Sequence, residues 1–242
     1  MREHTKDLRK TEIMSILRAS IGLFFCGVGV YATIQSGIGL SPWDVFHFGL
    51  VNTFGFKYGT ISILTATVVV CINFFLKEQI GPGMILDALI VGKTVDLLNY
   101  FSPIPHINNL WYGIILMLFG MIIMGFSQYL YMSAALGCGP RDGLLVALAR
   151  RVPKVPIGVV GIFLYSSVTL VGWMLGGKFG VGTIMFALMA GPIMQIDFRI
   201  VNFHAIKIRH HNIKESFTYI FGKQKSVDMD VDKSGDMDDK DV

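Results

Sequence analysis

The apolar residues of this chain fall into long, nearly uncharged runs separated by short polar or glycine- and proline-containing breaks. A helix of about 20 apolar residues is long enough to cross the hydrocarbon core of a bilayer. The pattern therefore predicts six transmembrane helices, over residues 13–34, 58–76, 82–100, 110–133, 157–176 and 180–200.

Two further apolar segments are too short to cross a membrane. Residues 42–52 and 140–150 each follow a glycine-rich break and begin with proline, which suits the first position of a helix because its missing N–H has no helical partner there. Segments of this length cover roughly 16 Å, about half of the core thickness. We expect two short helices that are either re-entrant or lie at the membrane interface.

The breaks before these two segments are copies of one another, 98 positions apart. Glycines in the flanking apolar runs recur at the same offset, or at one residue more after the second short segment. We interpret residues 13–101 and 110–200 as two transmembrane repeats. The residues shared by the two breaks are Gly39, Pro42 and Asp44 in the first copy and Gly137, Pro140 and Asp142 in the second.

The distribution of basic residues predicts the orientation. Most of the 21 Lys and Arg residues fall in the termini and in alternate loops, as the positive-inside rule requires of cytoplasmic segments. Both termini are then cytoplasmic. Because each repeat has three spans, an odd number, the second repeat must be inverted relative to the first. Inverted repeats are a recurrent transporter architecture, with binding sites where broken helices meet.

Composition narrows the class of protein. Hydrophobic residues make up 52% of the 242, charged residues only 16%, and the mean hydropathy is +0.57, whereas soluble domains carry about 25% charged residues. The lipid bilayer is therefore a partner, and nucleic acid is not expected. The three cysteines have no metal-ligand spacing, so we expect no metal and no cofactor. The chain also lacks a nucleotide-binding loop and an acyl-transfer triad, and we expect no catalytic residues.

The ends of the chain are polar. Residues 1–12 are predicted to form a short cytoplasmic lead before the first span. Residues 203–221 place apolar residues close to helical spacing with basic residues interleaved, a pattern typical of an amphipathic helix on the inner leaflet. Residues 222–242 are acidic, and we expect them to be disordered.

Asp44 and Asp142 are the leading candidates for a binding site. Each can cap its short helix, and in the first copy Ser41 precedes Asp44 with the spacing of a capping box. Acidic residues inside a membrane are also costly and usually functional. Capping and binding are compatible, and the sequence leaves both open.

The second copy carries Arg141 where the first carries Trp43. Arg141 is either a determinant of topology or a contact for an anionic substrate group, and Trp43 is either an interfacial residue or part of a cavity lining.

Lys93 and Asp96 lie three residues apart near the middle of the third span, where they can form an ion pair. Such a pair is either structural or part of a binding site. Asp87 lies on another face, and we expect it to be solvated. In the second repeat Pro192 and Gln195 occupy the positions of Lys93 and Asp96, and Pro192 is predicted to break the sixth span near Gln195.

The two Gly-x-Ser/Gly-Pro-x-Asp segments, set between glycine-patterned spans, resemble those of the YczE-like bacterial membrane proteins within the YitT/YyaS group. The resemblance covers residues 13–200 and implies an integral protein of the bacterial cytoplasmic membrane. Members of this group are often regarded as transporters, but the resemblance fixes no substrate.

Three functions follow from these observations. The first is a small-solute permease that binds its substrate, or a coupling cation, near Asp44 and Asp142, with Lys93 and Asp96 in support. The second is a non-transporting accessory protein that binds a partner through its cytoplasmic tail. The third, an intramembrane enzyme, has the least support. A homo-oligomer stays open as a further partner.

Overall fold

A computed structural model describes residues 2–78 and 80–203, and within these residues the secondary structure is entirely helical. The all-α class is confirmed, and the helix boundaries fall within a few residues of those predicted except at the start of α1. The helices are α1 (Arg2–Gln35), α2 (Pro42–Phe54), α3 (Tyr58–Phe75), α4 (Pro82–Phe101), α5 (Leu110–Ser133), α6 (Pro140–Arg151), α7 (Ile157–Met174) and α8 (Val181–Ile200).

Several helix boundaries have direct local causes. The helices α2, α4 and α6 each begin with a proline, as the position favours. Helix α5 is capped by Asn109, whose side-chain oxygen accepts a hydrogen bond from Trp111 N at 2.9 Å. Helix α2 ends at Gly55, which adopts the left-handed conformation with φ 74°. Helix α1 starts at Arg2, so the polar lead is helical and continuous with the first span.

Five helices are long and apolar enough to cross a membrane: α1, from Lys10 onward, α3, α5, α7 and α8. Helix α4 has a similar length of 20 residues, but it carries three charged side chains, Asp87, Lys93 and Asp96. A sixth span therefore stays a prediction for α4.

The packing of the helices repeats between the two halves. When α1–α4 are exchanged with α5–α8, most neighbouring pairs map onto one another: α1·α4 onto α5·α8, α2·α7 onto α6·α3, α2·α3 onto α6·α7, and α2·α8 onto α6·α4. The central pair α1·α5 maps onto itself. Small residues allow this close approach, since a Cβ at Gly29 would lie 2.8 Å from the carbonyl oxygen of Gly120.

One helix pair breaks the symmetry. Helices α3 and α4 pack closely, and a Cβ at Gly59 would collide with the carbonyl oxygen of Gly92. The equivalent glycines of the second half, Gly158 and Gly191, have open space in the Cβ position. No comparable packing joins α7 to α8 among the described residues. The second half thus keeps the glycines of a helix contact that it does not make.

Three sequence predictions need correction or lie outside the description. Helix α8 continues through Pro192, because a proline removes a single backbone donor while the neighbouring turns stay bonded. Lys93 and Asp96 form no ion pair: Lys93 is exposed on α4, whereas Asp96 accepts a hydrogen bond from Gly59 N at 2.8 Å. The predicted amphipathic helix and acidic tail lie outside the described residues beyond Phe203.

Candidate functional site

Each short helix starts from a glycine-rich loop that is fixed against the start of a long helix in the other half. Gly182 N, in α8, donates to Ile38 O in the first loop at 2.9 Å, and Gly83 N, in α4, donates to Leu136 O in the second loop at 2.8 Å. The two contacts are equivalent under exchange of the halves. The motif in each half is therefore held by the opposite half.

Glycine is required in both loops by the backbone. Gly39 has φ 139° and Gly137 has φ 100°, values that residues with a side chain rarely adopt. A Cβ at Gly39 would also lie 2.8 Å from Thr183 N, and a Cβ at Gly137 would lie 2.9 Å from the Cα of Gly81. These loops explain why the sequence repeats its glycines together with the proline and aspartate.

In the first copy the Asp44 carboxylate is buried and fully bonded. Ser41 Oγ donates to Asp44 Oδ2 at 2.6 Å, and Tyr58 Oη, from the start of α3, donates to Asp44 Oδ1 at 2.6 Å. Ser41 Oγ also accepts from Asp44 N at 3.3 Å, as the cap predicted for this position requires. His47 Nδ1 lies 3.6 Å from Asp44 Oδ1. Asp44 is only 1% exposed, so its charge is offset by donors of the protein itself.

In the second copy the Asp142 carboxylate has far less support. Gly139 takes the place of Ser41, so this helix has no side-chain cap. The hydrogen-bond donor to Asp142 is Gln128 Nε2, at a long 3.5 Å from Oδ2. Asp142 is half-buried, and Oδ2 of Asp87, on α4, lies near it: a Cβ on Gly139 would be 3.3 Å from Asp87 Oδ2 and 3.7 Å from Asp142 Oδ2. The same motif therefore produces two carboxylates in different chemical environments.

Arg141 connects the two copies. Its guanidinium lies 5.3 Å from the centre of the Trp43 ring, a cation–π distance. Its charge acts on Asp44 and Asp87, and also on Asp142. Arg141 nevertheless forms no ion pair within 4.0 Å with a carboxylate of the described residues. The arginine thus contributes positive charge to this cluster without a direct ion pair.

The other sequence candidates lie away from this cluster. Lys93 and Gln195 are exposed on α4 and α8. Asp96 lies on the wall of a cavity of about 490 Å³, which is bordered by Lys57 and Lys178 and reaches Tyr58. This cavity lies on the side that the charge pattern predicts to be external. Since Tyr58 binds Asp44, the cavity leads to the first motif.

Sequence reasoning missed three residues of the site. Asp87 was expected to be solvated, but it is half-buried and lies beside Gly139, close to Asp142. The signal for Asp87 was available, because it is an acidic residue within an apolar helix. Tyr58 and Tyr131 give no such signal, since aromatic residues are common near the ends of membrane helices.

The sequence matches a known protein family and is similar to proteins of other bacteria. Residues 13–198 match the family of unknown function DUF6198. The chain is 32% identical over 188 residues to an uncharacterized protein of Haemophilus influenzae, covering 78% of this chain and 84% of that protein.

Two proteins of Bacillus subtilis are also similar. The uncharacterized membrane protein YczE is 31% identical over 182 residues, covering 73% of this chain and 81% of YczE. The uncharacterized protein YyaS is 26% identical over 194 residues, covering 79% of this chain and 96% of YyaS. No solved structure matches the chain.

Proposed function

The chain belongs to the DUF6198 family and to its YczE-like group of membrane proteins, and from this premise we propose that it is a small-solute permease of the bacterial cytoplasmic membrane. The observation that carries the proposal is the meeting of Arg141 with Trp43, which brings the starts of the two short helices, one from each half, into one charged cluster. The solute binds in this cluster, between two inverted repeats.

The chemistry of the cluster supports binding. Arginine and three carboxylates lie together at or near the starts of α2, α4 and α6, within an apolar helical protein. Charged groups inside a membrane are costly, and they are retained where a substrate or ion passes. A merely structural cluster would be expected to pair each charge closely, whereas in the part of the chain that the structure describes neither Arg141 nor Asp142 forms an ion pair within 4.0 Å. These two side chains are the proposed contacts of the solute.

The asymmetry of the two halves supports movement. The pair α3·α4 is closed through Gly59 and Gly92, while Gly158 and Gly191 stand apart with space for contact. In an inverted-repeat transporter, exchanging the arrangements of the halves produces the state that opens to the opposite side. We propose that closure of α7 on α8, with release of α3 from α4, gives that second state.

In this proposal Asp44 has a supporting role. Its oxygens are already occupied by Ser41 and Tyr58, so it fixes the start of α2 and holds Trp43 against Arg141. Asp142 and Arg141 contact the solute directly. No catalytic step is part of the proposed function.

The experiment is transport by purified protein in liposomes. A panel of small amines, amino acids, sugars and carboxylates is first screened for thermal stabilisation of the protein in detergent, and stabilising compounds are then tested for radiolabelled uptake. We expect uptake of at least one compound by wild type. Arg141→Gln should lower it more than tenfold, and Arg150→Gln, which changes an exposed arginine of the same helix, should not.

Two results would contradict the permease. One is a set of stabilising compounds none of which crosses the membrane in either direction. The other is equal uptake by wild type and Arg141→Gln, which would remove the charged cluster from the pathway.

A further inference from the structure

Two carboxylates lie close to Gly139, the residue that precedes the second motif helix α6. A Cβ placed on Gly139 would lie 3.3 Å from Asp87 Oδ2 and 3.7 Å from Asp142 Oδ2. The two oxygens therefore border the same small space, which is free because residue 139 is glycine. The two aspartates come from different helices, α4 and α6, so the space depends on tertiary packing and was not visible in the sequence.

The charges around this space do not balance. The cluster contains three carboxyl groups, and Arg141 supplies positive charge to it. The carboxyl groups are those of Asp44, Asp87 and Asp142. Donors from Ser41 and Tyr58 offset the charge of Asp44. Asp87 and Asp142 lack comparable donors, and two neighbouring carboxylates in an apolar interior are strongly unfavourable unless positive charge lies between them.

A second observation concerns a buried hydroxyl group near the start of α4, the helix that carries Asp87. The hydroxyl of Tyr131, on α5, is buried at 3% exposure and has no hydrogen-bond partner among the described residues. The charged groups that act on it include Asp87 and Asp142, and its oxygen would lie 2.8 Å from a Cβ on Gly83, at the start of α4. A buried hydroxyl without a partner is costly, and a ligand bound to the two carboxylates would supply the partner.

We infer that Asp87 and Asp142, together with the Tyr131 hydroxyl, bind a singly charged cation, either sodium or a proton. A divalent metal fits less well, because it needs about six oxygen ligands and because Arg141 already brings one positive charge. In the described residues no three His, Cys, Asp or Glu side chains converge as a metal site.

This inference rests on the proposed function for its meaning, since the cation would be the transported or coupling ion of the permease. A bound cation would then replace Arg141 as the source of positive charge for the two carboxylates. When the site is empty, Arg141 is the positive charge nearest to the pair, and when the cation is bound, Arg141 is free to meet the solute or Asp44. The binding event itself can be measured without transport.

The first experiment follows thermal unfolding of the full-length protein in detergent while sodium chloride replaces choline chloride at constant ionic strength. If sodium is the ligand, the Tm of wild type rises by about 5 °C at saturation. The rise disappears in the Asp87→Asn, Asp142→Asn double variant. The control is Asp197→Asn, which removes a buried carboxylate of α8 that packs against Gly125 and should keep the sodium response.

The second experiment distinguishes the proton. With choline as the cation, Tm is measured between about pH 6 and about pH 9. If the pair binds a proton, wild type loses stability relative to the double variant as pH rises, because the proton dissociates. The other titratable and charged groups that interact electrostatically with the pair or its surroundings are present in both proteins; they are Cys26, Tyr131, Cys138, Arg141 and Tyr165.

A third variant keeps both carboxylates and removes the space. Gly139 has φ −63°, which alanine adopts freely, so Gly139→Ala adds a methyl group between Asp87 and Asp142 without backbone strain. We expect at least a tenfold loss of sodium affinity, or loss of the pH-dependent difference. This variant decides the matter if the double variant does not fold.

The inference is overturned if wild-type Tm responds neither to sodium nor to pH relative to the double variant, or if both respond equally. Its failure is distinct from failure of the permease. Solute uptake that needs Arg141 but is indifferent to sodium and pH would retain the permease and reject the cation site, whereas cation binding without any uptake would do the reverse.

Discussion

The two copies of the motif differ most at their aspartates. Asp44 is 1% exposed and bound by two hydroxyl groups at 2.6 Å. Asp142, its counterpart, is half-buried with one donor at 3.5 Å and a second carboxylate nearby. The loops that position them are equivalent. The difference shows that duplicated backbone geometry can be kept while the two carboxylates come to differ in burial and in hydrogen bonding.

The largest expected effect comes from the residue that distinguishes the copies. Arg141→Gln removes the positive charge shared by Asp44, Asp87 and Asp142. Buried carboxylates that lose their compensating positive charge are strongly unfavourable even without a direct ion pair, so we expect a large fall in Tm in detergent. Arg150→Gln is the control: its ion pair with Glu78 is exposed on the arginine side and contributes at most about 1 kcal/mol. Equal shifts for the two variants would contradict a central role for Arg141.

Two tyrosines test the same comparison through their hydroxyl groups. Tyr58→Phe removes a donor to Asp44 and should destabilise the protein by about 1.5–3 kcal/mol, the usual contribution of a hydrogen bond to a charged group. Tyr131→Phe removes a hydroxyl without a partner and should leave Tm unchanged or slightly higher in the absence of sodium. Chemical denaturation of both variants measures the difference, and a larger loss for Tyr131→Phe would reverse the assignment of anchor and site.

The asymmetric packing of the long helices gives a third test. Gly59→Ala places a methyl group against the carbonyl oxygen of Gly92, and overpacking of this kind costs about 1–3 kcal/mol. Gly158→Ala, at the equivalent position of α7, meets open space and should be neutral for stability. If α7 closes on α8 during transport, Gly158→Ala should still slow uptake in liposomes. Equal destabilisation by the two variants would show that the halves are packed alike.

The smallest effect is expected at the cap. Ser41→Ala removes both the cap of α2 and one donor to Asp44, and the loss of a capping side chain costs about 1 kcal/mol. The second copy already lacks this group, since Gly139 precedes Pro140. Thermal unfolding should show a small decrease with the uptake of solute retained. Loss of uptake without a change in Tm would place Ser41 in the binding pathway instead.

Helix positions were predictable because few physical rules set them. The length of each apolar run determines which helices can cross a membrane, and the prolines at 42, 82 and 140 fix where α2, α4 and α6 begin. The pairing of Lys93 with Asp96 was wrong for a different reason. Spacing along a helix permits a contact, but packing decides which face is covered. Helix α3 lies against the face that carries Asp96, and Gly59 N donates a hydrogen bond to that carboxylate.

The candidate site was only half visible in the sequence. The duplicated motif identified Asp44, Asp142 and Arg141, since all three lie within the copied segments. Asp87 and Tyr131 come from α4 and α5, and their approach to Asp142 depends on how those helices meet. Likewise the bonding of Asp44 depends on Tyr58, which lies 14 residues away at the start of another helix.

The most direct test of this account is a comparison of Asp44→Asn with Asp142→Asn by thermal unfolding in detergent, each with and without sodium chloride and, in choline, between about pH 6 and about pH 9. The account predicts that Asp44→Asn lowers Tm markedly, whereas Asp142→Asn keeps the Tm of wild type in choline and loses any response to sodium or pH. Equal loss of stability in the two variants, or a normal cation response in Asp142→Asn, would contradict the division of the two motifs into an anchor and a site.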